Sequence, residues 1–148
     1  MEPRTDNMSE KKIYFACSIR GGRDDAETYG ELVTHITTQA VALSEIFADK
    51  KLTPSGSPGL SADIYAKDIS WVKQADAIIA EVTNPSLGVG YEIAKAEEWE
   101  KPVLALFRET GERKLSAMID GSPGLLVVRY TNIDEAKLAI DRFIRSLE

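Results

Sequence analysis

Apolar and polar positions along this chain alternate between two periods. Short apolar runs at Lys12–Cys17, Val41–Ile46, Pro102–Phe107 and Leu125–Arg129, and one that opens at Ala77 and is stopped by Asn84-Pro85, read as strands covered on both faces. Between them lie stretches of helical period: about Asp24–Gln39, Ser61–Gln74, Gly90–Glu100, a short one near Lys114–Ile119, and Asp134–Leu147. Tyr29, Leu32, Val33 and Ile36 supply the first helix with its apolar stripe; Ala136, Ile140, Phe143, Ile144 and Leu147 supply the last. Lys51 to Gly59 carries prolines, glycines and serines and reads as a loop that could serve as a lid.

Strands alternating with helices predict right-handed βαβ units. The expected fold is α/β: a doubly wound, five-stranded parallel sheet in a flavodoxin-like or Rossmann-like three-layer sandwich, with the first and third strands near the centre. That topology would set the Ser18–Arg23 turn beside the Pro85–Glu92 turn at the point where strand order reverses, the place where open α/β sheets bind ligands.

Composition narrows the function. The chain has 148 residues, 43% hydrophobic and 28% charged, as expected of one globular domain over 12–148 behind a flexible tail at 1–11. A net charge of -6 argues against a polynucleotide surface but leaves room for a small anion in a local basic pocket. The single cysteine, Cys17, excludes internal disulfides and multi-cysteine metal sites, and points to a reducing, cytoplasmic location, or a nuclear one in a eukaryote. No apolar run approaches the roughly 20 residues of a membrane span. With one histidine, His35, placed mid-helix, neither a serine–histidine triad nor a histidine metal site is expected.

The candidate chemistry sits in three places. Ser18-Ile19-Arg20-Gly21-Gly22-Arg23 offers a hydroxyl, two guanidinium groups and glycine amides before a helix, a set suited to a phosphate monoester, or simply a solvated Gly-Gly turn. Glu92 follows Gly88 and Gly90, which would let the backbone turn sharply. It would then lie in the first helical turn, where the dipole keeps a carboxylate ionised, as either a nucleophile or an aid to helix initiation. Asp68 shares a helical face with Ile64, Trp71 and Val72, so it is expected to point inward, either as a general acid or as a carboxylate bonded to a loop. Tyr14 alternates with Ile13 and Phe15 and could face the crevice or a helix.

Several of these segments resemble one family in order. Tyr14-Phe15, Ser18–Arg23, Lys67-Asp68-Ile69-Ser70-Trp71, Gln74-Ala75-Asp76, Glu81-Val82-Thr83, Pro85-Ser86-Leu87-Gly88-Val89-Gly90-Tyr91-Glu92 and Leu115-Ser116-Ala117-Met118 are similar to the 2′-deoxynucleoside 5′-phosphate N-hydrolases, relatives of the nucleoside 2-deoxyribosyltransferases. The resemblance spans roughly Lys12 to Tyr130. It implies hydrolysis of the N-glycosidic bond of a (2′-deoxy)nucleoside 5′-monophosphate, without metal or cofactor. Glu92 would be the nucleophile, Tyr14 its orienting partner and Asp68 the proton donor to the base. Ser18, Ile19, Arg20, Gly21, Arg23, Ser86 and Gly88 would bind the substrate, mainly its phosphate. Ser116 and Met118 would enter the site of a second copy in a homodimer. Ala16-Cys17 before Ser18 and the stretch from Asp49 to Ala62 depart from the family pattern, which leaves base and sugar preference open. A deoxyribosyltransferase and a nucleotide-binding module without catalysis are the alternatives.

Overall fold

The computed structural model describes residues 10–18, 25–44 and 60–148. Five strands, β1 (Lys12–Ala16), β2 (Val41–Leu43), β3 (Ala77–Glu81), β4 (Val103–Arg108) and β5 (Leu126–Tyr130), pair in parallel in the order β2-β1-β3-β4-β5. This is the flavodoxin-like order, in which the strand sequence reverses between β1 and β3. The helices are α1 (Ala26–Thr37), α2 (Ser61–Gln74), α3 (Leu87–Glu98), α4 (Ala117–Asp120) and α5 (Ile133–Arg145). The expected loop at 51–59, the tail at 1–9 and the end of the second predicted strand at 45–46 lie outside the described residues.

Strand alternation divides the interior into two layers. Ile13 and Phe15 join Ile79, Leu104 and Leu106 against the stripes of α1 and α5. Tyr14 and Ala16 join Ile78 and Ala80 against Val72 of α2 and Val89, Ile93 and Ala96 of α3. Because side chains on a strand alternate between faces, Tyr14 faces α2 and α3 as soon as its neighbours fill the other core. Cys17 is buried on the α1 side, as small packing. His35 of α1 bonds through Nε2 to Asp141 of α5 at 2.7 Å, stapling two helices far from the crevice.

α3, α4 and α5 begin at side-chain caps. Asn132 accepts the Glu135 N–H at 3.1 Å while Glu135 accepts the Asn132 N–H at 3.2 Å, a reciprocal cap that starts α5. The predicted boundaries of α2 agree with the structure, whereas α3 begins earlier than its glycines suggest. Ser86 is its N-cap, accepting the Val89 N–H at 3.2 Å, so Gly88 and Gly90 are helical and no sharp glycine turn exists there. Among the described glycines only Gly111 has a positive φ. No helix among the described residues is long and apolar enough to cross a membrane.

At the end of α3 the chain turns through Glu100, a non-glycine residue at φ 60°. That left-handed geometry costs an L-residue roughly 1–2 kcal/mol, and glycine escapes it at a smaller loss of chain entropy. Glu100→Gly is therefore expected to raise stability by about 0.5–1 kcal/mol in urea unfolding, with no change in fold.

Candidate active site

Glu92 is the sixth residue of α3 and has no place in its first turn, which contains no acidic residue. The helix dipole acts mainly within the first turn, so it is not what holds this carboxylate. A side chain from another element does so instead. Tyr14 on β1 donates its hydroxyl to Glu92 Oε2 at 2.9 Å. The bond ties β1 to the helix that follows its neighbour β3, at the reversal of strand order.

On α2 the inward face carries buried Val72 and half-buried Ile64, Asp68 and Trp71. Trp71 packs on the Tyr14 ring with centroids 6.0 Å apart. Asp68 lies one turn before Trp71 on the same face, as the predicted phase requires. Higher up, the hydroxyls of Tyr65 on α2 and Tyr91 on α3 lie 3.3 Å apart, with the rings edge to face. Asp68, Tyr14 and Glu92 thus come from three elements that pack on one another.

The start of α3 is glycine-rich. Among the described residues, a methyl group built on Gly90 would meet nothing within 4 Å, and one on Gly88 only the Ser86 Oγ at 3.8 Å. Two glycines near a helix start lower helix propensity by about 1 kcal/mol each, so their use here is the open surface they leave. A cleft of about 610 Å³ runs along α3, lined by Ser86, Gly90, Ser116 and Met118 among others. Ser86 and Ser116 both cap helices through their oxygens, leaving each O–H proton to donate to an anion. Glu92, Tyr14 and Asp68 do not line this cleft. Ser86, Ser116 and Met118 are thus brought together along α3, while Tyr14 and Glu92 are joined by their own hydrogen bond. Gly88 does not line this cleft either, although it shares the exposed first turn with Leu87. Ser18 is buried at the end of β1, while Ile19, Arg20, Gly21 and Arg23 lie outside the described residues.

Sequence reasoning overlooked a buried polar belt under the carboxyl ends of β3, β4 and β5. Glu81, 1% exposed, accepts from the Thr83 N–H at 2.9 Å, the Thr83 hydroxyl at 2.7 Å and the Tyr130 hydroxyl. Burial pushes its carboxyl above the usual range, although the hydrogen bonds from Tyr130 and Thr83 oppose the shift. Burial also raises the hydroxyls of Tyr29 and Tyr130. Beside it, Asn84 donates to Asp25 Oδ2 at 2.9 Å and to the Tyr29 hydroxyl at 2.8 Å, while Arg108 pairs with Asp25 Oδ1. Burial works against the Arg108 charge, but its bond to Asp25 more than compensates and raises its pKa. Asp25 is the N-cap residue of α1, yet its side chain caps nothing and turns wholly to Asn84 and Arg108. A carboxylate ending a fully buried strand was the one signal that could have revealed this belt.

A carboxylate held by a tyrosine at the switch point, beside a glycine-rich helix start, gives this α/β protein a candidate small-molecule site. Comparison with known proteins then identifies the lineage. Residues 13–138 match the model of the nucleoside 2-deoxyribosyltransferase family, and the chain belongs to that family. It is 43% identical over 136 residues to the 5-hydroxymethyl-dUMP N-hydrolase of Tetraodon nigroviridis, covering 89% of this chain and 96% of that protein. It is 46% identical over 112 residues to the mouse (Mus musculus) protein of the same name, covering 74% of this chain and 65% of that one. The fold is also that of the Clostridium botulinum CMP N-glycosidase structure, with a TM-score of 0.66 at 15% identity over 89% of this chain and 99% of that one.

The raised Glu81 pKa sets a sign for stability against pH. The unfolded carboxyl ionises near its ordinary value of 4.5, before the folded one does. Between the two values the folded chain holds the extra proton. Glu81's contribution is therefore full below about 4.5 and is lost as pH climbs through the folded value. Urea unfolding at steps from pH 4.5 to 8 is expected to show this decline, and Glu81→Gln to flatten it.

Proposed function

We propose that this chain hydrolyses the N-glycosidic bond of (2′-deoxy)nucleoside 5′-monophosphates, releasing the free base and a (2-deoxy)ribose 5-phosphate. The observation that carries this reading is the 2.9 Å hydrogen bond from Tyr14 to Glu92 at the strand reversal. It orients the carboxylate at the place where an α/β sheet binds its ligand. Membership in the family and the names of the relatives support the same reaction.

In the proposed sequence Glu92 attacks C1′ as the C1′–N bond breaks, and the bonding pair leaves with the base. Asp68 gives that base its proton. The sugar, cationic at the transition state, is captured as an ester of Glu92. Asp68, now a carboxylate, takes a proton from water as the water attacks C1′ and releases Glu92. Tyr14 keeps one carboxylate oxygen fixed throughout, which holds the other in attack geometry. Ser18, Ser86 and the turn around Gly88 take the 5′-phosphate, and these contacts, remote from C1′, hold the sugar in attack geometry. The location we propose is cytoplasmic.

We also assign the working form as a homodimer, with Ser116 and Met118 reaching a neighbour's site. Leu87 is 97% exposed and Met118 82%, both apolar and both beside the cleft along α3. An uncovered apolar surface of this kind suits a partner.

Three measurements test the reading. Purified protein incubated with 5-hydroxymethyl-dUMP and a panel of other dNMPs and NMPs is expected to release base. Glu92→Ala should lower turnover by at least about 10⁴-fold. Asp68→Asn should lower it about 10²–10⁴-fold, and Tyr14→Phe about 10–100-fold, the worth of a hydrogen bond to a charge. Full activity in Glu92→Ala would overturn the mechanism, and faster transfer to an added second base than to water would make the chain a transferase. Sedimentation should find a dimer, and Leu87→Asp should shift it to monomer.

A further inference from the structure

The buried belt takes no direct part in the proposed chemistry, yet it contacts the segment that leads into the start of α3. Asn84 is two residues before Ser86, the N-cap of α3, with only Pro85 between them. Both N–H bonds of its amide are engaged, one by Asp25 and one by the Tyr29 hydroxyl. From the other side, the Arg108 N–H donates to the Thr83 hydroxyl oxygen at 2.8 Å, and that hydroxyl in turn donates to Glu81. The Val82 N–H reaches the Leu106 carbonyl at 2.9 Å. The three residues ahead of Pro85 are thus held from α1, from β4 and from the end of β3.

We infer that Asn84 is a positioning residue that sets where Ser86 and the first turn of α3 meet the substrate's phosphate. The inference rests on the proposed function. Three features favour positioning over simple stabilisation. Asp25 stands where a side chain would ordinarily cap α1, and caps nothing. The Asp25 carboxylate bridges Asn84 and Arg108 instead, so the start of one switch-point helix determines the approach to the other. Finally, Asn84 is buried, 8% exposed, and its amide donates to a carboxylate, so no water can replace the bond without rearrangement.

The amide and the carboxylate can be exchanged, which gives a rescue experiment. Asn84→Asp sets two carboxylates face to face. In the pair Asp25→Asn with Asn84→Asp, the amide at position 25 donates to the carboxylate at position 84 and its oxygen still accepts from Arg108. Tyr29 can turn its proton toward the new carboxylate. Steady-state kinetics on a monophosphate should show KM raised about tenfold in Asn84→Ala and in Asn84→Asp, with kcat within about threefold of wild type. The exchanged pair should recover most of that KM. The corresponding nucleoside, lacking the phosphate, should show no change in kcat/KM. A variant that merely destabilised the fold would instead lower kcat for both substrates.

A wild-type KM in folded Asn84→Ala, an equal loss on nucleoside and nucleotide, or an exchanged pair no better than Asn84→Asp would each overturn the inference. If wild type released no base from any monophosphate, the failure would lie with the proposed function. Hydrogen exchange at the Val82 and Val89 N–H groups reads the network without substrate. Protection reduced in Asn84→Ala supports the positioning of the loop, and unchanged protection refutes it.

Discussion

The hydroxyl of Tyr14 reaches Glu92 across 78 residues of sequence, and the placement of the site depends on that contact. It can form only because β1 and β3 are neighbours in parallel, with Tyr14 beside Ile78. The strand pairing puts the helix after β3 over the face to which Tyr14 points. Trp71 then fixes the tyrosine ring from α2, which brings Asp68 to the same side. A one-residue slip in β1 would send Tyr14 into the opposite core and leave Glu92 without its partner, because strand side chains alternate faces.

The second constraint is the buried polar belt. Polar groups taken from water must be hydrogen-bonded or destabilise the fold, and each unsatisfied one costs roughly 1–3 kcal/mol. Glu81, Thr83, Tyr130, Asn84, Tyr29, Asp25 and Arg108 bond to one another, leaving the buried Arg108 Nε without a partner among the described residues. Such a set has few alternative arrangements, so it holds the segment before α3 in one geometry. The two devices divide the work: Tyr14 orients the carboxylate from β1, and the belt sets the approach to the helix that carries it.

Much of the architecture was legible from the pattern of apolar positions. Fully apolar runs of strand length between amphipathic helices admit few packings other than a parallel sheet covered on both faces. The stripe of α5 and the limits of α2 were readable because periodicity acts locally. The inward phase of Asp68 was readable for the same reason. The start of α3 was not, because Gly88 and Gly90 weigh against helix in any local estimate, and the Ser86 cap and the burial of Val89 outweigh them. With that shift the expected dipole support for Glu92 gave way to the Tyr14 hydrogen bond.

The sequence by itself determined the alternation of strands and helices, the carboxylates at positions 68 and 92, and the family that their motifs mark. Only the tertiary structure decided which face Tyr14 takes, that Ser86 and Ser116 share a cleft along α3, and that Asp25, Asn84 and Arg108 meet. The physical reason is range. Periodicity, caps and turns express forces between residues a few positions apart. Strand order and buried polar pairing are settled by contacts between residues such as Asn84 and Asp25, 59 positions apart, whose partners exist only once the sheet has formed.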